Sequence, residues 1–250
     1  DRLMEFPLGL FGIALATVTL PYLSRLWANG ERREFAETLE WSMKIAILVA
    51  VPAAVGLVML AAPLITTLFY GGEFDQRSVA MTVMALQAYA LGLVGFSFVK
   101  ILAPAFFARE DTRTPVRVGI LALLVNLVLG ASSAWYLASN NIAGPHTALA
   151  AATSVAAMLN AVLLYRGLRK AEVISHSPGW GLLLLRVVLA NGSMIAVLLT
   201  VHRSLAWWID AALTDRVVWL AVSVIAGAAV YFAALVVLGL RPAQLRMRHD

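Results

Sequence analysis

Asp1, Arg2, Glu5 and Lys100 are charged residues that lie within or directly beside long, mostly uncharged stretches of the sequence, where a charge is costly. Asp1, Arg2 and Glu5 share one face of a helix, so Arg2 can pair with Glu5. A charge at mid-membrane costs about 2.5–3.5 kcal/mol on insertion scales and usually faces a cavity or a substrate path. Lys100 follows the uncharged run from Ser78 to Val99 and has no neighbouring carboxylate in the sequence. It must therefore face water, a partner helix or an anionic ligand.

Each of these charges also has a simpler explanation. The uncharged run begins only at Phe6, so Asp1, Arg2 and Glu5 fit in the lipid headgroups at the start of a helix, and their spacing alone favours that placement. Lys100 has a long stem that can snorkel to the interface. The residues alone leave both alternatives open for Lys100.

The composition excludes a water-soluble protein. Of the 250 residues, 61% are hydrophobic and 13% are charged, against about 25% charged in a soluble domain, and the mean hydropathy is +0.84. Without cysteine there is no disulfide framework or thiolate metal site, and four scattered histidines offer no zinc cluster, so no cofactor is predicted. The formal charge of +5 comes from basic clusters between uncharged runs, which favours a membrane surface over nucleic acid.

Seven stretches are long enough to cross a membrane, which takes about 20 mostly apolar residues. A backbone in lipid must satisfy its own hydrogen bonds, and none of these stretches alternates with period two, so they are predicted to be helices. The sequence therefore predicts an all-α polytopic membrane protein with about seven transmembrane helices. The predicted spans run from Phe6 to Ser24, Ile45 to Gly72, Ser78 to Val99, Val118 to Pro145, Thr147 to Tyr165, Ser177 to Val201 and Val217 to Leu240.

The loops between these spans differ in basic content. Twelve Lys and Arg residues fall on one side, whereas Arg77, Arg203 and Arg216 are the three on the other. Because basic loops are retained in the cytoplasm, the chain is predicted to start outside and to end with a cytoplasmic C-terminus.

A short amphipathic pattern lies between the last two spans. Leu205, Trp208, Ile209, Ala212 and Leu213 recur at helical spacing beside charged residues. This predicts a short helix lying flat on the outer leaflet, with an ordinary solvated loop as the alternative.

The sequence contains no catalytic constellation. Dinucleotide-binding, Walker, HExxH and GxSxG motifs are all missing. Glu110 and Asp111 are adjacent carboxylates, but Thr114 followed by Pro115 predicts a helix cap with proline at the first helical position. This cluster therefore favours a helix start over an active site, and no catalytic residue or metal ligand is predicted.

Three segments together resemble a known family. They are DRLMEFPLGLFGIALATVTLPYLSR from Asp1 to Arg25, PLITTLFYGGEFD from Pro63 to Asp75, and KILAPAFFAREDTRTPVR from Lys100 to Arg117. They are similar to lipid II flippases of the MurJ/MviN type, within the multidrug/oligosaccharidyl-lipid/polysaccharide exporter superfamily. Beyond Arg117 the resemblance rests on the number of spans and on a loop similar to YRGLRK.

The resemblance implies a part of a fourteen-helix, two-lobed exporter fold. Residues 1–170 would be five helices of the C-terminal lobe, and residues 171–250 would be two additional helices that form a groove for the lipid tail. The chain would then be a fragment without the first seven helices. Arg2 matches an arginine implicated in gripping the diphosphate, while Glu5 and Lys100 match other charged cavity positions. The resemblance thus favours a cavity over the headgroup placement of Arg2.

The implied activity is translocation of lipid II from the inner to the outer leaflet of the bacterial cytoplasmic membrane by alternating access. Lipid II, membrane lipids and the missing N-terminal seven helices would be the partners. A diphosphate offers oxygens that suit guanidinium donors. The alternatives are an exporter of drugs or other polyprenyl-linked glycans, a polytopic enzyme acting on polyprenyl diphosphates, and a purely structural membrane subunit.

Overall fold

The computed structural model describes Gly9 and residues 20–140, 145–174 and 179–240. In this part of the chain the regular structure is helical, apart from an isolated bridge between Gly71 and Phe74. A helical segment at residues 20–28 precedes the labelled helices. Those are α1 (Arg32–Met59), α2 (Ala61–Phe69), α3 (Gln76–Phe107), α4 (Arg113–Ser139), α5 (Pro145–Lys170), α6 (Trp180–Thr200), α7 (Leu205–Asp210) and α8 (Leu213–Val237).

The predicted class, an all-α polytopic membrane protein, is confirmed. Six helices in the described residues are long and apolar enough to cross a membrane: α1, α3, α4, α5, α6 and α8. The first predicted span, Phe6 to Ser24, lies largely outside the described residues.

The prediction of one span from Ile45 to Gly72 is wrong. Helix α1 begins earlier, at Arg32, and ends at Met59, after which α2 is a separate short helix. Pro63 explains the break, because proline has no N–H to donate four residues back and its ring clashes with the carbonyl there, which is that of Met59. The Gln87 side chain of α3 donates to the Val58 carbonyl at 3.1 Å, so the broken helix end has a donor from a neighbouring helix.

Helices α3 and α5 cross at very short range through small residues. An added Cβ on Gly92 would lie 2.6–2.9 Å from Ser154, and one on Gly95 would lie 2.7–2.9 Å from backbone atoms of Ala157 and Met158. The Ser154 hydroxyl also donates to the Ala88 carbonyl of α3 at 2.6 Å. Close backbone approach and an interhelical hydrogen bond together join these two helices.

One end of the bundle carries residues 25–33, 109–117 and 166–174, and it is called the basic end below. Here the guanidinium carbons of Arg32 and Arg109 lie 3.2 Å and 5.0 Å from the centre of the Trp27 ring. Burial lowers the pKa of Arg109 from its ordinary value, since desolvation disfavours its charge. Beneath this cluster, buried apolar side chains from residues 20–28, α1, α3 and α5 form one core.

At the opposite end of the bundle, Arg216 is only 8% exposed and forms hydrogen bonds that join α8 to two short helices. Its guanidinium donates to the carbonyls of Ala211 and Ile209 beside α7 and to that of Thr66 in α2, at 2.9, 2.5 and 3.4 Å. It also lies 5.1 Å from the centre of the Tyr70 ring. One buried cation therefore satisfies carbonyl groups where two short helices end.

The short helix before the last span is present, but its predicted extent and surroundings need correction. Helix α7 contains only Leu205–Asp210, while Ala212 and Leu213 cap and begin α8. The helix packs against α2, and Trp208 is 2% exposed. The tryptophan thus contributes to a protein interior between α2, α7 and α8.

The predicted helix cap at Thr114 and Pro115 is wrong in detail. Helix α4 begins at Arg113, and its capping group is the carboxylate of Asp111, which accepts from the Thr114 backbone N–H at 3.0 Å and from the Thr114 hydroxyl at 2.7 Å. These hydrogen bonds lower the pKa of Asp111 below its ordinary value. The prediction that this acidic pair marks a helix start is supported.

We expect Gly95→Ala to destabilise the α3–α5 contact by about 1–3 kcal/mol, because the added methyl group meets backbone that cannot move aside cheaply. The measurement is the unfolding midpoint of the purified protein in detergent. Gly119→Ala in α4 is the matched control, since a Cβ there has nothing within 4 Å. Equal midpoints for the two variants would contradict the close crossing.

Candidate functional site

Helix α6 docks on α1 through polar groups near the basic end. The Trp180 indole N–H at the start of α6 donates to the Glu40 carboxylate of α1 at 3.1 Å. Glu40 also pairs with Lys44 at 2.7 Å, and the Lys44 ammonium lies 5.6 Å from the centre of the Trp180 ring. Since Glu40 is only 8% exposed, these contacts compensate a buried carboxylate.

A second contact joins α8 to α1 deeper in the bundle. The Tyr231 hydroxyl donates to the Leu48 carbonyl at 2.8 Å, and Tyr231 is fully enclosed. Leu48 lies four residues before Pro52, which has no N–H to give to that carbonyl. The tyrosine therefore supplies the hydrogen bond that the proline removes from α1.

An apolar groove of about 500 Å³ lies beside this contact, between α1, α2, α6 and α8. Pro52 and Gly56 leave space on the α1 side, and Gly227 allows α8 to approach Leu198 of α6. Such a volume is within the range of about 300–1,000 Å³ that is usual for small-molecule sites. The lining consists of Leu48, Val49, Pro52, Ala53, Gly56, Leu57, Leu60, Leu64, Met194, Leu198, Ser223, Val224, Gly227, Ala228, Tyr231 and Phe232.

The structure places Lys100, a predicted binding residue, on an exposed part of α3. Met84 and Leu91 lie two turns apart on one side of this helix and are 39% and 67% exposed. Lys100 follows Leu91 by nine residues, about two and a half turns, and therefore lies on the other side of α3. Lys100 is therefore on the opposite side from Met84 and Leu91, and the exposed side chain of Phe107 lies two turns after it on its own side.

Arg2 and Glu5, the other two predicted binding residues, lie outside the described residues, as does Asp1. Within the described ranges, no group of three or more His, Cys, Asp or Glu side chains could hold a metal ion.

Four residues that join the helices around the groove were not predicted from the sequence. They are Glu40, Trp180, Tyr231 and Arg216. Glu40 and Lys44 are four residues apart and form a local ion pair on one helix face, but the hydrogen bond from Trp180 to Glu40 spans 140 positions. A signal for Tyr231 was available in principle, because each proline inside a span predicts an unpaired carbonyl four residues earlier. Which residue donates to it follows only from the packing.

Arg186 interrupts the predicted span from Ser177 to Val201 and is half-buried in α6. One of its terminal nitrogens lies 3.4 Å from the place where a Cβ on Gly239 would be, so the guanidinium is next to the end of α8. Gly239 has a φ of +84° and closes that helix, since its N–H donates to the Val236 carbonyl. A cation at the carboxyl end of a helix is favourable, which gives Arg186 a structural explanation.

The fold and these features define a polytopic membrane protein whose polar groups join helices around an apolar groove. A family model described as lipid II flippase MurJ matches residues 1–218. The chain therefore belongs to the MurJ family.

The curated relatives agree with this assignment and are about twice as long as the chain. A probable lipid II flippase MurJ of Vibrio cholerae is 40% identical over 248 residues, which cover 98% of this chain and 46% of that protein. The lipid II flippase MurJ of Burkholderia cenocepacia is 36% identical over 252 residues, covering 99% of this chain and 47% of that protein. The chain thus spans slightly less than half the length of these relatives.

A solved structure shows the same fold. It is described as lipid II flippase MurJ in an inward closed conformation, and it matches with a TM-score of 0.73 at 22% sequence identity. The match covers 94% of this chain and 45% of that one.

We expect Tyr231→Phe to destabilise the protein by about 1–3 kcal/mol, because it leaves the Leu48 carbonyl buried without a donor. The measurement is again the unfolding midpoint in detergent. Tyr136→Phe is the control, since Tyr136 is 59% exposed on α4.

A double-mutant cycle makes this test specific. Pro52→Ala restores an N–H to α1, so Tyr231→Phe should cost much less in that background. If the cost of Tyr231→Phe is the same with and without Pro52, the hydroxyl does not replace the missing backbone donor.

Proposed function

We propose that the chain supplies the C-terminal half of a flippase that moves lipid II from the inner to the outer leaflet of the cytoplasmic membrane. The observation that carries the proposal is the family match over residues 1–218, together with relatives that are named lipid II flippases. The chain spans slightly less than half the length of these relatives, so the working transporter would also contain the helices that they have in addition. Its activity is transport, and no catalytic step on the substrate is needed.

The substrate would be held by Arg2, Glu5 and Lys100 in a central cavity. Lys100 supports this proposal, because it lies on the side of α3 away from Met84 and Leu91. A guanidinium and an ammonium can both donate hydrogen bonds to diphosphate oxygens, and the Arg2 guanidinium would donate two parallel hydrogen bonds. The cationic cavity lets the diphosphate cross without entering hydrocarbon.

The two parts of the chain would have different tasks. Residues 1–170 would form helices of the C-terminal lobe, and residues 171–250 would form the additional pair that holds the lipid tail. The apolar groove between α1, α2, α6 and α8 supports this division, because its lining suits a hydrocarbon chain. The contacts of Trp180 and Tyr231 with α1 would keep this pair attached to the lobe during transport.

The basic end would face the cytoplasm, with the C-terminus on that side and the protein in the bacterial inner membrane. One lobe would rock against the other to open the cavity to each leaflet in turn. Outward movement of a negatively charged headgroup is downhill in an inside-negative cell, by about 2.3 kcal/mol per charge per 100 mV.

We expect Lys100→Ala and Arg2→Ala, each made in the full-length protein, to reduce flipping at least tenfold. Removing one member of a buried, charge-assisted hydrogen bond costs about 2–5 kcal/mol, and each 1.4 kcal/mol is a factor of ten. The measurements are complementation of a strain depleted of its own flippase and the amount of lipid II accessible at the outer leaflet.

Lys100→Arg should retain part of the activity, and Arg117→Ala, at the exposed start of α4, should retain all of it. Full activity of the Lys100 and Arg2 double variant with lowered stability would indicate a structural membrane subunit. If drugs or other polyprenyl-linked glycans displace lipid II in a competition assay, the protein is a broader exporter.

A further inference from the structure

A second apolar cavity lies nearer the start of α6 than the groove does, and it is called the crevice below. It has a volume of about 490 Å³ and is bounded by α1, α3, α5 and α6. On α5 its lining runs from Met158 to Tyr165, seven residues or about 10 Å along the helix axis. Val162 and Leu184, which line it from α5 and α6, are 43% and 46% exposed, so the crevice opens sideways to the lipid.

The mouth of the crevice is at the basic end. Trp180 and Tyr165 line it there, and aromatic side chains of this kind prefer the membrane interface. Met43 also lines it, one residue before Lys44, whose ammonium is 5.6 Å from the centre of the Trp180 ring. The wall of the crevice is thus apolar towards the membrane centre, and its polar groups are concentrated at the headgroup level.

Basic side chains continue from the mouth along α5. Arg169 follows Tyr165 by four residues and therefore lies on the same face of the helix. Arg166 and Lys170 are neighbours in the last turns of α5, and all three basic side chains are exposed. Exposed cations directly beyond an apolar cavity complement a molecule with a hydrocarbon chain and an anionic headgroup.

We propose that the crevice binds one acyl chain of an anionic phospholipid from the leaflet at the basic end. Its phosphate would be bound by Arg166 and Arg169. The acyl chain would lie along Met158, Val162 and Leu184. There it would fill the space between α5 and α6, into which other lipid packs poorly. Occupancy would brace α6 against the lobe formed by α3 and α5, next to the Trp180–Glu40 hydrogen bond.

The position of the crevice favours a phospholipid over the transported lipid. The crevice is lined by the first turns of α6 and the groove by its last turns, and the two linings have no residue in common. Phe98, which lines the crevice, lies two turns after Leu91 on the side of α3 away from Lys100. This site therefore does not depend on the proposed function, and either can fail alone.

The test uses the full-length protein in vesicles of phosphatidylethanolamine with a minor share of phosphatidylglycerol. Trace phosphatidylglycerol or phosphatidylcholine with the same diazirine-bearing acyl chain is added and photolysed, and labelled peptides are mapped by mass spectrometry. We expect phosphatidylglycerol to label Met158, Val162 and Leu184 at least about tenfold more than phosphatidylcholine, since each nearby cation favours an anionic headgroup.

Two variants distinguish the contribution of the lipid headgroup to binding from that of the acyl chain. Arg166→Gln with Arg169→Gln should reduce phosphatidylglycerol labelling to the level of phosphatidylcholine, whereas Arg113→Gln with Arg117→Gln should not. Val162→Phe, which fills the crevice, should reduce crevice labelling at least fivefold by volume exclusion. Val188→Phe, at a site that is 65% exposed on α6, is its control.

Equal labelling by the two phospholipids would overturn the proposal, because it indicates ordinary boundary lipid. Unchanged labelling in Val162→Phe, with the variant folded as judged by its unfolding midpoint, would overturn it as well. Preferential labelling of the crevice by a diazirine-bearing polyprenyl diphosphate would assign the space to the transported lipid.

Discussion

The absence of water in the membrane interior is the constraint on which the rest of this structure depends. Every backbone group freed from a helix there needs a donor or acceptor from the protein itself. Pro52 removes the donor for the Leu48 carbonyl, and Tyr231 replaces it from α8. Where α1 ends before Pro63, Gln87 donates to the Val58 carbonyl from α3. Each interruption of α1 therefore fixes the position of a neighbouring helix.

Hydrogen bonds between distant segments also explain how α6 and α8 are attached to the rest of the described bundle. α6 and α8 pack on each other, and among the described residues they reach α1 and α2 through hydrogen bonds of Trp180 with Glu40, Tyr231 with Leu48, and Arg216 with Thr66. The first of these hydrogen bonds lies near the basic end, the second deeper in the bundle and the third at the opposite end. Because apolar packing gives little direction in lipid, such directional bonds determine where the pair docks. The groove is the space that this attachment leaves beside α1.

Much of the fold could be predicted from the sequence, because hydropathy and span length are local properties. The membrane class and most span positions follow from uncharged runs. The break in the predicted span from Ile45 to Gly72 follows from Pro63, which cannot continue the helix hydrogen bonds. Local spacing was less reliable for caps and short helices, as Asp111 and Trp208 show. The identity of a capping group depends on which side chain reaches the free backbone N–H groups. The position of a short helix depends on which of its side chains is buried in the protein interior. The partners of Glu40 and Arg216 depend on tertiary contacts between distant segments, so no local pattern reveals them.

The candidate site was predicted from charges that are difficult to explain in lipid, together with the family resemblance that matches Arg2, Glu5 and Lys100 to cavity positions. Lys100 is the member of that set that the described residues contain, and its side of α3 is distinct from that of Met84, Leu91 and the crevice. In the proposed central cavity, the Lys100 side of α3 is in contact with water and the side of Leu91 is in contact with lipid. A cation inside a span and an apolar outer face on the same helix then have one common explanation.

Cysteine accessibility measures this difference most directly, because the chain has no cysteine of its own. Lys100→Cys and Leu91→Cys would each be placed in a cysteine-free full-length protein and treated in membranes with a charged, water-soluble thiol reagent. The account predicts fast modification at position 100 and slow or no modification at position 91. Equal protection of both positions would contradict it, since Lys100 would then face lipid or packed protein.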